Sequence, residues 1–444
     1  MCSYLPTREP PLRNLRNLRI VVVLILLSSC RELGLVEGTP RERYERALDR
    51  AYLSNTALGT LWFDAGREAL AHPVRVTLPF RETGYIPAER PLAAGFEFPV
   101  ERGQRVIINL ALASGEPAQV FLELYASVDS NRAPERLFSA DSGETGIDLE
   151  VEDSGRFLLR LQPELLRSVR YTLTIRTGAT LAFPVEGAGN DAIRSRYGAD
   201  RDGGRRLHEG IDIFAPRGTP VLAAASGRIV DVGDNRLGGL VVWLHDDRRN
   251  QNLYYAHLDR QVAREGDAVE EGDTLGFVGN TGNARTTPPH LHFGIYRRGE
   301  GAIDPYPFVW QPPSRAPAIQ ADSNNLGEWV RVTGPRAMLL GGRFPADTME
   351  RATVMRVIGV SGAGYRVELP DNRVGFVAER SVAPAVNPSA QSVLASGGRI
   401  LERPTPGAVV VEIVRPGSRI GVLGEFGGYQ MVRTEAGGLG WLRR

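Results

Sequence analysis

Lysine is missing altogether, so every one of the 53 basic side chains is an arginine. The arginines are scattered and balanced by 52 acidic residues, giving a formal net charge of +1 with no basic tract outside the N-terminus. A basic stripe is the electrostatic footprint of nucleic-acid binding, and without one no such partner is expected. Cysteine is almost as scarce: Cys2 and Cys30 are the two in the chain. Long apolar runs are also missing. Residues 20–27 (IVVVLILL) fall far short of the roughly 20 residues that a membrane-spanning helix needs.

That short run has another reading. Arg8, Arg13, Arg16 and Arg19 precede it, and Ser28, Ser29 and Cys30 follow. A basic head, a short apolar core and small residues before a cut site form a secretory signal. The ending LSSC resembles a bacterial lipoprotein signal, which implies that Cys30 is lipidated and becomes the anchored N-terminus. The competing reading is a plain signal with a chance cysteine. Loss of residues 1–29 removes four arginines and Glu9, moving the formal charge from +1 to −2. It also leaves Cys30 as the one thiol, so a disulfide within the mature chain is excluded. Arg31, rather than an aspartate, follows the cysteine; by resemblance to lipoprotein sorting signals this implies the outer membrane of a Gram-negative cell, facing the periplasm.

At 444 residues the chain is long enough for about three or four domains. The expected class is mainly β and multi-domain. Residues 30–71 read as an anchor and spacer helix, with Tyr44, Ala47, Ala51 and Leu53 at helical spacing. Residues 72–180 carry short apolar runs such as VIINLALA, VFLELYA and GRFLLRLQP, separated by turn residues, which predicts a β-sandwich. Residues 181–310 hold the chemistry. Residues 311–325 (QPPSRAPAIQADSNN) form a linker. Beyond it, YRVELPDNRVGFV and YQMVRTEAGGLGWL are a diffuse repeat. They resemble paired bacterial SH3-like barrels, over residues 326–387 and 388–444, modules that bind cell wall or merely pack on the rest of the chain.

Histidine is scarce, with six in the chain, and four of them, His208, His257, His290 and His292, bear on the chemistry. Zinc takes neutral imidazoles and carboxylates, and two histidines with one carboxylate is a known catalytic set that leaves a position for water. In HLHFGIY, period-two alternation puts His290 and His292 on one face of a strand, while Leu291 turns to the core. One imidazole then binds the metal and the other stands beside the attacking water. His208 and Asp212 are four apart, but Gly210 and the apolar run after it favour a loop entering a strand. A bent chain there can bring both side chains to one ion.

Either short pattern alone arises by chance. Together HEGID, YYAHL and PHLHF, in that order, resemble the LytM/lysostaphin-type zinc endopeptidases of cell-wall metabolism. The resemblance runs from about Phe183 to about Phe308 and includes VLAAASGRIVDVGDN and EEGDTLGFVGNTGN. It implies a compact antiparallel β core with an open groove and Zn2+ as the cofactor. It further implies His208, Asp212 and His292 as metal ligands, with His257 and His290 as the two catalytic histidines flanking the metal. His290 is the candidate for orienting or deprotonating the attacking water and His257 for stabilising the oxyanion or protonating the leaving amine, although which of the two does which stays open. The implied substrate is peptidoglycan, cut at stem peptides or cross-links.

Other residues have plainer readings. His72 is a surface residue and His245 a structural histidine at a turn. Asn280 and Asn283 shape a turn, and Glu209 points away from the metal. Tyr254 and Tyr255 line the groove or pack in the core. A different functional class is a non-catalytic wall-binding scaffold that activates amidases. Such a degenerate member would lack one or more of the five residues, and all five are present.

Overall fold

A computed structural model describes residues 38–113, 118–127, 133–141, 143–201, 203–313, 315–342 and 346–444. Cys30 and the expected signal segment lie outside these described residues. The chain is mainly β, built of several antiparallel sheets. Among the described residues, no helix is long and apolar enough to cross a membrane.

The expected spacer forms two helices, α1 (Pro40–Arg50) and α2 (Ala57–Ala71). Thr39 and Glu42 form a reciprocal capping box at the start of α1, with Pro40 at its first position, where the missing N–H costs nothing. Both helices dock on the following domain rather than standing free. Trp62 of α2 is 1% exposed, lies 5.2 Å from the Tyr44 ring, and donates its indole N–H to the Pro163 carbonyl at 2.8 Å.

The next region packs two sheets face to face. One runs in the order Val74–Arg75, Ala94–Val100, Gly155–Pro163, Val120–Ser127, Glu135–Ser139. The facing strands Phe80–Ile86, Val169–Ala179, Gln104–Leu112 and Gly146–Glu150 complete the sandwich. Alternating inward residues, Phe96, Leu124 and Leu159 on one side and Val106, Ile108 and Leu173 on the other, fill the interior.

The second sheet does not end there. Phe80–Ile86 also pairs with Val354–Ser361, through Thr83 to Val360, so strands of residues 326–387 continue the same eleven-stranded sheet. The Arg366 guanidinium is buried at this joint. It donates to both carboxylate oxygens of Glu82, at 2.8 and 2.9 Å, and to the Tyr171 hydroxyl at 3.0 Å. A separate six-stranded sheet holds residues 390–443.

The domain that carries the histidines has a ten-stranded sheet. Its central order is Ile193–Ser195, Ile211–Phe214, His290–Arg297, Gln251–Gln261, Gly239–Asp246, Gly227–Asn235. One face is sealed by Ile211, Ile213, Leu253, Tyr255, Leu291, Phe293 and Ile295. The other face remains open, and it presents His292 and Tyr254. The Arg249 guanidinium joins this domain to the sandwich, donating to Glu150 and to the Thr180 carbonyl at 2.7–3.1 Å.

Candidate metal centre

The strands Ile211–Phe214 and His290–Arg297 are antiparallel neighbours, and their register sets Asp212 directly opposite His292 and Phe214 opposite His290. Strand alternation does the rest. Ile211 and Ile213 point into the core, so Asp212 points to the open face; Leu291 and Phe293 do the same for His292. His208 arrives from the loop before the first strand, held by His208 N–H to Ala199 O and Gly198 N–H to His208 O, both 2.8 Å. Gly210 makes this close approach possible. A Cβ there would sit 2.4 Å from the Phe293 carbonyl oxygen and 2.8 Å from His292 Cε1. The reading of a loop entering a strand therefore holds.

Three ligand atoms converge. Asp212 Oδ1 is 3.0 Å from His208 Nε2 and 3.1 Å from His292 Nδ1, and those two nitrogens are 2.9 Å apart. His208 Nδ1 lies 2.9 Å from the Arg196 carbonyl oxygen. That oxygen only accepts, so the ring proton sits on Nδ1 and Nε2 offers a lone pair to the cluster.

The two remaining histidines are held in the same way. His290 Nδ1 donates to the Pro288 carbonyl at 2.9 Å, and its Nε2 is 4.0 Å from Asp212 Oδ1. Its ring stacks on Phe214, centroids 4.9 Å apart. His257 Nδ1 donates to the Thr281 carbonyl at 2.9 Å. On a regular strand, His257 would share the core face of Leu253 and Tyr255. Instead it adopts a left-handed φ of 64°, and its ring stands 5.0 Å from that of His290 and 5.9 Å from that of His292.

The electrostatics follow from burial and proximity. Without a metal, burial pushes the Asp212 carboxyl up, but hydrogen bonds from the His208 and His292 rings in their protonated forms, and the charge of those forms, outweigh it and hold it well below the usual carboxylate range. Burial lowers His292, against the pull of Asp212. Burial, then repulsion from His292 and His290, lowers His257 to about 4. A neutral His257 is the result at neutral pH.

The residue set suits a transition-metal ion. Two imidazole nitrogens and one carboxylate oxygen form a triangle with edges of 2.9–3.1 Å. This is close to the roughly 3.3 Å between ligands around a tetrahedral zinc with bonds of about 2.0–2.1 Å. Lone pairs pressed this close need a proton or a cation between them.

Tyr255 is in the core, with its hydroxyl accepting from Ala224 N–H at 2.9 Å. Tyr254 stands on the open face, 5.9 Å from the His292 ring, and continues through Trp243 at 4.3 Å in an aromatic floor. Glu209 is exposed and accepts from the Tyr296 hydroxyl at 3.2 Å, while His245 meets Asn252 Oδ1 at 2.8 Å. The side-chain amide of Asn280 donates across its turn to the carbonyls of Arg285 and Thr287. Sequence reasoning passed over Arg201, which contacts Asp212. Nothing in ADRDGG sets that arginine apart from the other arginines of the chain.

Residues 206–305 match the model of Peptidase family M23. The chain is 40% identical over 139 residues to the L-Ala–D-Glu endopeptidase of Bacillus subtilis, covering 29% of this chain and 42% of that protein. It is 38% identical over 97 residues to the peptidoglycan DD-endopeptidase ShyC of Vibrio cholerae, covering 21% of each. The solved catalytic domain of lysostaphin from Staphylococcus simulans is 36% identical, with 26% of this chain and 87% of that one covered and a TM-score of 0.24. The chain thus spans less than half the length of the two curated relatives. For this part of the chain, family model and relatives together support an M23 peptidase domain of the LytM/lysostaphin type.

Proposed function

We propose that this protein is a zinc-dependent endopeptidase that hydrolyses peptide bonds in the stem peptides or cross-links of peptidoglycan. One observation carries the reading: His208, Asp212 and His292 converge within hydrogen-bond distance from two adjacent strands and a loop, with two further imidazoles beside them. The names of the relatives support the substrate class. Zinc, when held by these three side chains, supplies a Lewis acid that polarises a carbonyl and acidifies water near neutral pH.

The chain's own residues do the rest. His290 and His257 each have the ring proton committed to a backbone carbonyl through Nδ1, so the lone pair of each neutral ring is at Nε2. One of them takes the proton of the attacking water, and that imidazolium then returns a proton to the leaving amine. Such a step contributes ~10²–10⁴-fold. The carbonyl partners keep both rings oriented, and Phe214 fixes the plane of His290. Tyr254 and Trp243 form a floor along which an extended peptide lies. In this reading lipidated Cys30 tethers the enzyme to the outer membrane, on the periplasmic side, and the SH3-like segments hold it against the wall.

The test is digestion of purified peptidoglycan by protein starting after Cys30, with and without a zinc chelator, and mass analysis of the products. New peptide-bond cleavage that disappears with chelator is the expected result, and the masses identify the bond. Intact wall after incubation with folded, zinc-loaded protein would overturn the reading.

A further inference from the structure

Asp212 uses its two oxygens differently. Oδ1 faces His208 and His292, whereas Oδ2 accepts a hydrogen bond from Arg201 Nη2 at 2.6 Å. The same Nη2 lies 2.7 Å from Ser195 Oγ, and that oxygen is 3.3 Å from His208 Nδ1. One guanidinium nitrogen therefore props the carboxylate directly and the first histidine through a serine.

The backbone explains how an arginine reaches this point. Asp200–Arg201 pairs with Arg206–Leu207 in a short hairpin, and the pairing continues into His208 through Ala199. Ser195 ends the strand that flanks Asp212, with which it is in register. Arg201 and Ser195 thus belong to two separate backbone segments that brace the pair crosswise: Arg201, whose hairpin runs into His208, reaches Asp212, while Ser195, paired with Asp212, lies beside His208. The Arg201 side chain is 32% exposed, so it closes the outer side of the cluster without being sealed in.

We infer that Arg201 is a positioning residue: it occupies Asp212 Oδ2 so that the carboxylate presents one oxygen, Oδ1, to the metal, and it steadies His208 through Ser195. The inference rests on the zinc reading proposed above. Without the guanidinium the carboxylate is free to rotate about its last bond, and water takes the vacated oxygen. An orienting partner of this kind typically accounts for ~10–100-fold in metal affinity. Arginine suits the task because its planar head carries several donors at fixed angles; a lysine ammonium reaches one acceptor well and the second poorly.

The test is zinc affinity of the full chain, measured by competition with a chromogenic chelator, for wild type, Arg201→Ala, Arg201→Lys and Ser195→Ala. Thermal unfolding of each metal-free protein shows whether it is folded. The expected order is a loss of ~10–100-fold for Arg201→Ala, a smaller loss for Arg201→Lys, and the smallest for Ser195→Ala. Cleavage assays at saturating zinc add a second readout, with kcat recovering toward wild type in Arg201→Ala while KM stays near the wild-type value. Zinc affinity within twofold of wild type in folded Arg201→Ala overturns the inference. So does a raised KM with unchanged zinc affinity, which makes Arg201 a substrate contact instead. If wild type itself takes up no zinc, the metal reading of the site fails first, and this inference falls with it.

Discussion

Asp212 and His292 stand directly opposite each other on adjacent antiparallel strands, with Oδ1 and Nδ1 3.1 Å apart. A carboxylate and an imidazole in this relation are held by the sheet ladder and not by a flexible loop, so the pair is rigid before any ion arrives. That rigidity separates the consequences of altering neighbouring histidines.

His292→Ala should abolish both zinc binding and cleavage, because it removes one of the three proposed ligands. His290→Ala should retain zinc and lose turnover by ~10²–10⁴-fold, as expected for a lost proton-transfer group. Metal content and kcat measured on the same preparations decide this. A His290→Ala protein with full turnover would remove that residue from the chemistry.

His257 gives a pH signature in the metal-free protein. Its folded pKa of about 4 lies below the ordinary 6.5, so between these values the unfolded chain binds the extra proton. Stability contributed by the neutral ring is complete above about 6.5 and is lost as pH falls toward about 4. His292, also lowered, adds a slope of the same sign. Thermal unfolding across this window should show a falling midpoint toward acid, and His257→Asn should flatten it. An identical slope in the variant would contradict the assignment.

Gly210→Ala should destabilise the loop that carries His208. The added methyl would lie 2.4 Å from a backbone oxygen and 2.8 Å from the His292 ring, and such overpacking typically costs ~1–3 kcal/mol. Reduced zinc affinity should accompany a lower unfolding midpoint. Wild-type values of both would show that the strands yield more easily than their packing indicates.

The buried pair Glu82–Arg366 ties the sandwich to the strands of residues 326–387. Arg366→Met leaves a buried carboxylate without its cation, a change that costs about 3–5 kcal/mol. Chemical denaturation should show the loss, and the double variant Glu82→Gln with Arg366→Met should recover part of it. No recovery would mean that the pair is not energetically coupled.

Cys30→Ser tests the anchor. On the lipoprotein reading proposed above, the variant should leave the membrane fraction and appear in soluble extract, since Cys30 is the one thiol left once the expected signal is removed. Continued sedimentation with membranes would count against the lipid.

Much of the site was legible because its chemistry uses rare residues in short patterns. HLHFGIY announces a strand by alternation, and the structure places His290 and His292 on one face of such a strand. The mainly β class was legible from short apolar runs between turn residues. The amphipathic stretch after residue 40 indicated helix, but its division into α1 and α2 and their docking through Trp62 depend on partners a hundred residues away. Equally illegible was the single sheet joining the sandwich to residues 326–387, because composition marks strands and says nothing of which edges meet.

By itself the sequence determined the candidate metal-ligating side chains available, the loop made possible by Gly210 and the alternation that aims His292 outward. These are local properties, dictated by residue type and a period of two. Only the tertiary structure decided that Asp212 faces His292, that the left-handed backbone at His257 turns its ring from the core toward the cluster, and that Arg201 occupies the second oxygen of Asp212. Each of these is a contact between segments distant in sequence or a departure from regular period, set by strand register and packing across the whole domain.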